Sequence, residues 1–365
     1  MPKESPFAHA YAVVMAGGSG TRFWPLSRRK RPKQLLDLFG RQTLVEQAVA
    51  RIRKALPPGR IYVYTNELVR NEICRRLPEI PPTQIVAEPA LRNTAPTLGL
   101  AAHEILRRDA DGLMVVLAAD HVIKQTGAFL RVLRVACQWA TTPGRSMVLG
   151  IKPSGPATGY GYVRLGPQEG RLVGQPVHRV KKFTEKPSLK MARAYLASGE
   201  SLWNSGMFVW RADTLLRNLE QFQPRMAGLL ARIAAAGGIR AHRTLRKLFP
   251  QCEKISIDYA LMEKISNVYA VPADIGWSDV GSWAVAYELR PKDKEANVRP
   301  SDGLALDSRG NMIVTTGKKM VVTVGVHGLV IADTGDALLV CARDRSEDVG
   351  KAVQELERRG LHKLL

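Results

Sequence analysis

The stretch that most constrains this chain is Val13-Val14-Met15-Ala16-Gly17-Gly18-Ser19-Gly20-Thr21-Arg22. Tyr11 to Ala16 is apolar, partly β-branched and closed by glycines, a pattern that predicts a buried strand. Three glycines in four positions then let the backbone turn sharply and bring its N–H groups against a ligand. Arg22 adds a planar fork of donors that suits phosphate oxygens. Together these features predict a cradle for a polyphosphate. Two common cradles are excluded: no Lys-Ser or Lys-Thr follows at P-loop spacing, and G-x-G-x-x-G requires glycine where Phe23 stands. A glycine loop after a strand can equally be a tight turn. Its weight here comes from the residues after it, Arg22-Phe23-Trp24-Pro25-Leu26-Ser27 and then Pro32-Lys33-Gln34.

The 365 residues suffice for one large domain and a smaller one, and 45% hydrophobic with 24% charged residues excludes a disordered chain. No apolar run has the length of a membrane span, and Met1 to Ala10 lacks a signal-peptide core, so no membrane partner is expected. Cys74, Cys137, Cys252 and Cys341 form no C-x-x-C pair, which argues against a disulfide or zinc framework and for the cytoplasm. The net charge of +21 points to anionic partners. Its densest cluster, Arg28 to Arg31, reads as readily as a solvated loop. No basic stripe interleaved with aromatic residues supports a specific nucleic-acid partner.

Beyond the loop, patterns alternate: helix from Leu44 to Leu56, strand Ile61 to Thr65, helix Asn66 to Leu77, strand Gln84 to Val86, helix Thr97 to Arg108, strand Leu113 to Ala118. Such alternation predicts an α/β fold with a mostly parallel sheet and helices on its faces, whose ligands lie beyond the carboxyl ends of the strands. Asp120 follows one of those ends, a suitable place for a carboxylate that holds Mg²⁺. Asp258, at the start of a helix, reads as its cap, with a site role the alternative. From about residue 290 the texture changes, and Asp302 to Val340 reads as short strands and turns before an amphipathic helix from Glu347 to Arg359. The expected domains are therefore 1–290 and 291–365. The tail strands are too few and short to form a core alone, so they should pack on the main domain or on a second subunit.

The glycine loop with Pro32-Lys33-Gln34 resembles the signature of sugar-1-phosphate nucleotidylyltransferases, and Phe23-Trp24-Pro25-Leu26-Ser27 is similar to their mannose-1-phosphate guanylyltransferase branch. The resemblance continues through Glu88 to Pro96, Ala119-Asp120-His121, Thr158 to Val163, Phe183-Thr184-Glu185-Lys186-Pro187, Trp203 to Phe208 and Gly276 to Trp283. It implies a Rossmann-like nucleotidyltransferase domain with a small C-terminal β-helix-like domain. The implied activity is transfer of GMP from GTP to α-D-mannose 1-phosphate, assisted by Mg²⁺, giving GDP-mannose and pyrophosphate.

On that resemblance Gly17, Gly18, Ser19, Gly20, Thr21, Glu88, Asn93 and Thr94 bind the nucleotide, while Arg22, Lys33 and Lys186 act on the phosphates. Gly159, Tyr160, Gly161, Glu185 and Asn204 bind the sugar, Asp120 and Asp279 hold the metal, and His121 is structural. Glu88 has a chemical reason to prefer guanine, whose adjacent N1–H and amino group a carboxylate accepts together, whereas adenine offers a lone pair at N1. The resemblance further implies a homodimer through the tail. Longer relatives continue into a phosphomannose isomerase domain, so a chain ending here is expected to be monofunctional. Gly328 stands where an acidic residue is expected, a departure confined to the tail. Two rival readings remain at this point: another sugar 1-phosphate as substrate, or a non-catalytic nucleotide-sugar sensor.

Overall fold

A computed structural model describes residues 5–18, 20–237, 239–317 and 319–365. Ser19, one of the expected nucleotide contacts, lies outside them. By compactness the chain divides into two units, one of residues 1–17, 48–119 and 123–277, the other of residues 18–47, 120–122 and 278–365. This division interleaves the chain and differs from a linear split at 290/291.

The first unit is built on a nine-stranded sheet. From edge to edge it runs Ile85–Glu88, Ile61–Asn66, Ala10–Met15, Leu113–Ala118, Ser201–Arg211, Ser146–Ile151, Val268–Pro272, Gln175–Thr184 and Tyr162–Leu172. Only Ser201–Arg211 and Gln175–Thr184 run against the others. The central strands are apolar throughout because both faces are covered. Tyr11, Val13, Met114, Val116, Phe208 and Trp210 share one core with the helices Thr94–Arg108, Ala212–Phe222 and Pro224–Ala235. The alternate residues Ala12, Val14, Val115, Leu117 and Val209 are equally buried, and Thr126–Ala140 packs against these strands.

Several expected bounds shift for local reasons. The helix read from Asn66 begins only at Arg70, because the Asn66 side chain accepts from the backbone N–H groups of Leu68 and Val69 and holds a turn. The helix read from Thr97 begins at Thr94, capped by Asn93. Asp258 lies in a π-helical turn, Asp258–Met262, that carries no side-chain cap bond, so its reading as a cap is corrected.

In the second unit the tail coils. Leu304–Leu306 pairs in parallel with Val322–Val324, and Met312–Thr315 with Leu329–Asp333, with strand partners 18 residues apart throughout. That constant offset is one coil of a β-helix, closed by the antiparallel strand Leu338–Ala342 and the helix Val349–Arg358. Asn297 and Asn311, both buried, bridge successive coils through side-chain bonds to backbone, so their polar groups are satisfied. Gly328 has φ +63°, a left-handed turn position that favours glycine over the acidic residue expected there.

The tail has no core of its own. Val298, Met312, Val330, Ala332, Leu339 and Val349 share one with Phe23, Trp24, Leu26, Leu36, Leu38, Val280 and Trp283. In the basic run Arg28 is mostly buried, while Arg29, Lys30 and Arg31 stay exposed, as a solvated loop would be. Arg28 pairs with Asp336 and donates to the Leu364 carbonyl, Arg29 pairs with Glu357, and Arg31 with Asp37.

Candidate functional site

Within the second unit, Gly20, Lys33, Asp120 and Asp279 line one cleft of about 320 Å³, together with Thr21, Arg22, His121 and Gly281. Gly20 adopts φ +61°, and a Cβ there would overlap the Lys33 side chain and lie 2.9 Å from its backbone nitrogen. The loop therefore closes over Lys33 only because residue 20 is glycine. Lys33 is buried, and its ammonium donates to Asp120 Oδ2 at 2.9 Å and to the backbone carbonyl of Asp279. Burial pushes the Asp120 carboxyl up, but the Lys33 and His121 charges and its hydrogen bonds outweigh this and hold it below the usual aspartate value. Arg22 donates to the Gly281 carbonyl at 3.4 Å.

Val280, next to Asp279, is held at φ +47°, unusual for a β-branched residue, and a Cβ on Gly281 would stand 3.0 Å from the Asp279 carboxylate. Strain of this kind persists where surroundings over-determine a backbone, often at functional sites. The cleft thus joins an ionised acid, a buried ammonium, an arginine and a second aspartate. That set suits the binding of a polyphosphate and a hard cation. Carboxylates fit Mg²⁺, which is commonly held by one or two of them plus phosphate oxygens.

Within the first unit, two further groups form. Glu88 is buried, accepts a hydrogen bond from the Thr97 hydroxyl, and lies 3.8 Å from where a Gly17 Cβ would be. Burial, only partly offset by that hydrogen bond, pushes its pKa up to about 7. Asn93 (φ +65°) accepts from the Thr94 N–H, while the Thr94 hydroxyl accepts from the Ile257 N–H at 2.8 Å and so ties two segments together.

The second group holds the residues read as sugar contacts. Tyr160 stands edge-on to Trp203 and Trp277, with ring centroids 5.0 and 5.5 Å away. Gly161 leaves no room for a Cβ beside the Glu185 carboxylate and Asn204, and its carbonyl accepts from the Asn204 N–H at 2.8 Å. Gly159 is exposed, and a Cβ there would meet nothing. Burial and then the Asp258 carboxylate push Glu185 up to about 7, against the pull of Lys186. Lys186 is largely exposed, 3.8 Å from Glu185, and adopts φ +46°. Asp258, whose site role the sequence left open beside its reading as a cap, and Glu263, in the same stretch, both lie at this group.

A further recess of about 370 Å³ lies against Tyr62, Tyr64, His103 and Leu245, is mostly apolar, and contains none of the motif residues. Among the described residues no helix is long and apolar enough to cross a membrane.

Residues 11–296 match the Nucleotidyl transferase family and residues 302–356 the MannoseP isomerase/GMP-like beta-helix domain. A mannose-1-phosphate guanylyltransferase of Klebsiella pneumoniae is 41% identical over 94% of this chain and 73% of its own length. One from Escherichia coli shows the same identity and the same coverage. A crystal structure from Thermus thermophilus, described as a mannose-1-phosphate geranyltransferase, superposes with a TM-score of 0.85 at 34% identity, covering 96% of this chain and 99% of that one.

Proposed function

We propose a residue-level mechanism from one premise: this chain belongs to the nucleotidyl transferase family, as a mannose-1-phosphate guanylyltransferase. It transfers GMP from GTP to mannose 1-phosphate, releasing pyrophosphate and GDP-mannose. The sugar phosphate attacks the α-phosphorus in line. Its second pKa is about 6, so at neutral pH the attacking oxygen is already ionised and no catalytic base is needed. The protein's work is to position two anions that repel each other and to absorb the charge that develops.

The observation that carries this reading is Lys33, buried and bonded to both Asp120 and Asp279. In the proposal Lys33 and Arg22, with the backbone N–H groups around Gly17, Gly18, Gly20 and Thr21, hold the triphosphate. Asp120 and Asp279 would hold Mg²⁺, which when bound acts as a Lewis acid on phosphate oxygens. Glu88, in its ionised form, accepts from guanine. Asn93 shapes the base loop, Lys186 meets the sugar phosphate, and Glu185, Asn204 and the Gly159-Tyr160-Gly161 turn meet the sugar.

Pyrophosphate release measured across a grid of nucleoside triphosphates and sugar 1-phosphates tests the assignment. GTP with mannose 1-phosphate should exceed every other pair by at least about tenfold. Equal turnover with ATP or glucose 1-phosphate would remove the roles given to Glu88 and the sugar group.

A homodimer through the tail is also proposed. Leu304, Leu306, Val322 and Val324 stand exposed in paired register on two short parallel strands, an apolar stripe that a second copy would cover. Sedimentation of the wild type against Leu306→Glu with Val324→Glu tests it, a shift to monomer being the expected result. The reducing cytoplasm suits the four free cysteines. No specific nucleic-acid partner is proposed, since Arg28, Arg29 and Arg31 are each paired with an acid of this chain.

A further inference from the structure

Two acids on one turn reach the two residues assigned to the sugar. Asp258 opens the π-helical turn Asp258–Met262, and Glu263 follows it. Such turns are rare and frequent at functional sites. The Asn204 amide is fixed at both ends: its Nδ2 donates to Asp258 Oδ1 at 2.9 Å, and its Oδ1 accepts from the Gly206 N–H at 2.9 Å. The Asn204 amide also donates to the Glu185 carboxylate, so the two residues assigned to the sugar are held against each other. The Glu185 backbone N–H donates to Glu263 Oε1 at 2.8 Å, one residue before the left-handed Lys186. Glu185 Oε2 is buried and has no hydrogen-bond partner. A buried acceptor without a partner is costly unless a ligand supplies the donor.

We propose that Asp258 and Glu263 are positioning residues for the sugar: Asp258 orients the Asn204 amide, and Glu263 fixes the Thr184–Glu185 peptide from which the Glu185 side chain springs. Neither is required to touch the phosphates. The inference rests on the sugar role given above to Glu185 and Asn204.

The test compares Asp258→Ala and Glu263→Ala with Asp258→Asn and Glu263→Gln. Each amide keeps an oxygen that can accept the same N–H, whereas alanine does not. The alanine variants should raise KM for mannose 1-phosphate about tenfold, the loss expected for one hydrogen-bonded contact, with KM for GTP within about threefold of wild type. The amide variants should recover most of that loss. Should Asp258→Ala fail to fold, Asp258→Ser, too short to reach Asn204, carries the same comparison.

Asn204→Ala and Glu185→Gln separate the two levels of the argument. If both leave KM for mannose 1-phosphate unchanged, the sugar assignment itself fails. If both raise it while the Asp258 and Glu263 alanine variants do not, the positioning role alone is overturned. Equal rises in both KM values, with a lowered melting temperature, would make the turn merely structural and overturn it too.

Discussion

Lys33 and Asp120, 87 residues apart in the chain, form a 2.9 Å ion pair, and the same ammonium donates to the backbone carbonyl of Asp279. One buried lysine thus fixes the two segments that carry the proposed metal ligands. Lys33→Met keeps the stem and removes the charge. Its kcat should fall about 10²-fold or more, the scale of losing one preorganised electrostatic partner. Near-normal turnover of Lys33→Met in a pyrophosphate-release assay would remove Lys33 from the machinery.

Gly20 makes that arrangement possible. Gly20→Ala places a methyl against Lys33 in a left-handed conformation that alanine disfavours, so the loop must move. The expected result is a drop in kcat/KM for GTP comparable to that of Lys33→Met. Gly155→Ala, where a Cβ meets nothing, is the matched control and should leave it unchanged. Equal behaviour of the two variants would contradict the close approach of the loop to Lys33.

Glu88 should make GTP use depend on pH. With its pKa near 7, half the carboxyl is protonated at neutral pH in the free protein and accepts poorly from guanine. KM for GTP should therefore rise as pH falls from 8 to 6, and Glu88→Gln should flatten that dependence while raising KM at pH 8. Stability runs the opposite way. A carboxyl raised from 4.5 to about 7 on folding stabilises the protein fully below its unfolded pKa, and the contribution is lost as pH rises through 7. The amount is roughly 3 kcal/mol. Glu88→Gln should accordingly unfold at a higher denaturant concentration than wild type at pH 8, and the gap should close by pH 5. A constant gap between pH 5 and 8 would exclude Glu88 as the source.

Much of the sheet was legible in the sequence, because Ala10–Met15, Ile61–Asn66 and Leu113–Ala118 are apolar runs bounded by turn residues and pair with chain neighbours in parallel. The insertion of Ser201–Arg211 between Leu113–Ala118 and Ser146–Ile151 was not, since pairing across such separations leaves no local pattern. The motif residues Lys33, Asp120 and Asp279 do converge. The partners of Arg28 and Arg29 lie some 300 residues away, at Asp336 and Glu357, so nothing local in the charged run foretold them. The tail strands were too few and short to promise a core of their own, and Met312 and Val330 indeed share one with Phe23 and Trp24.

That shared core changes what the tail should do. Met312 and Val330 are fully buried beside the segment that carries the glycine loop and Lys33. Met312→Ala should cost about 2–5 kcal/mol of stability, as large-to-small core changes do. Turnover at a temperature where the variant stays folded should fall with it, because the loop rests on that core. Full kcat in a destabilised Met312→Ala would show that the tail stabilises the unit without supporting catalysis.

Asp120 and Asp279 differ in one testable respect. Lys33 donates to the Asp120 carboxylate and to the backbone carbonyl of Asp279, and the second of these bonds survives an Asn at 279. Both Asp120→Asn and Asp279→Asn remove charge from a proposed Mg²⁺ ligand, so each should lower kcat about 10²-fold. If both act through one ion, the double variant should be far less impaired than the product of the singles. Stability without metal tests the Lys33 pair directly: Asp120→Asn loses the ion pair with buried Lys33 and should melt lower than wild type. Asp120 also stays ionised well into acid, its pKa being held below the usual value. Its stabilising share is therefore present above the unfolded pKa and lost as pH falls through the lower, folded one. The deficit of Asp120→Asn should then shrink in strong acid. Strictly multiplicative effects on kcat would separate the two acids into independent roles, and an unchanged melting temperature for Asp120→Asn would mean that the Lys33 pair does not hold the cleft together.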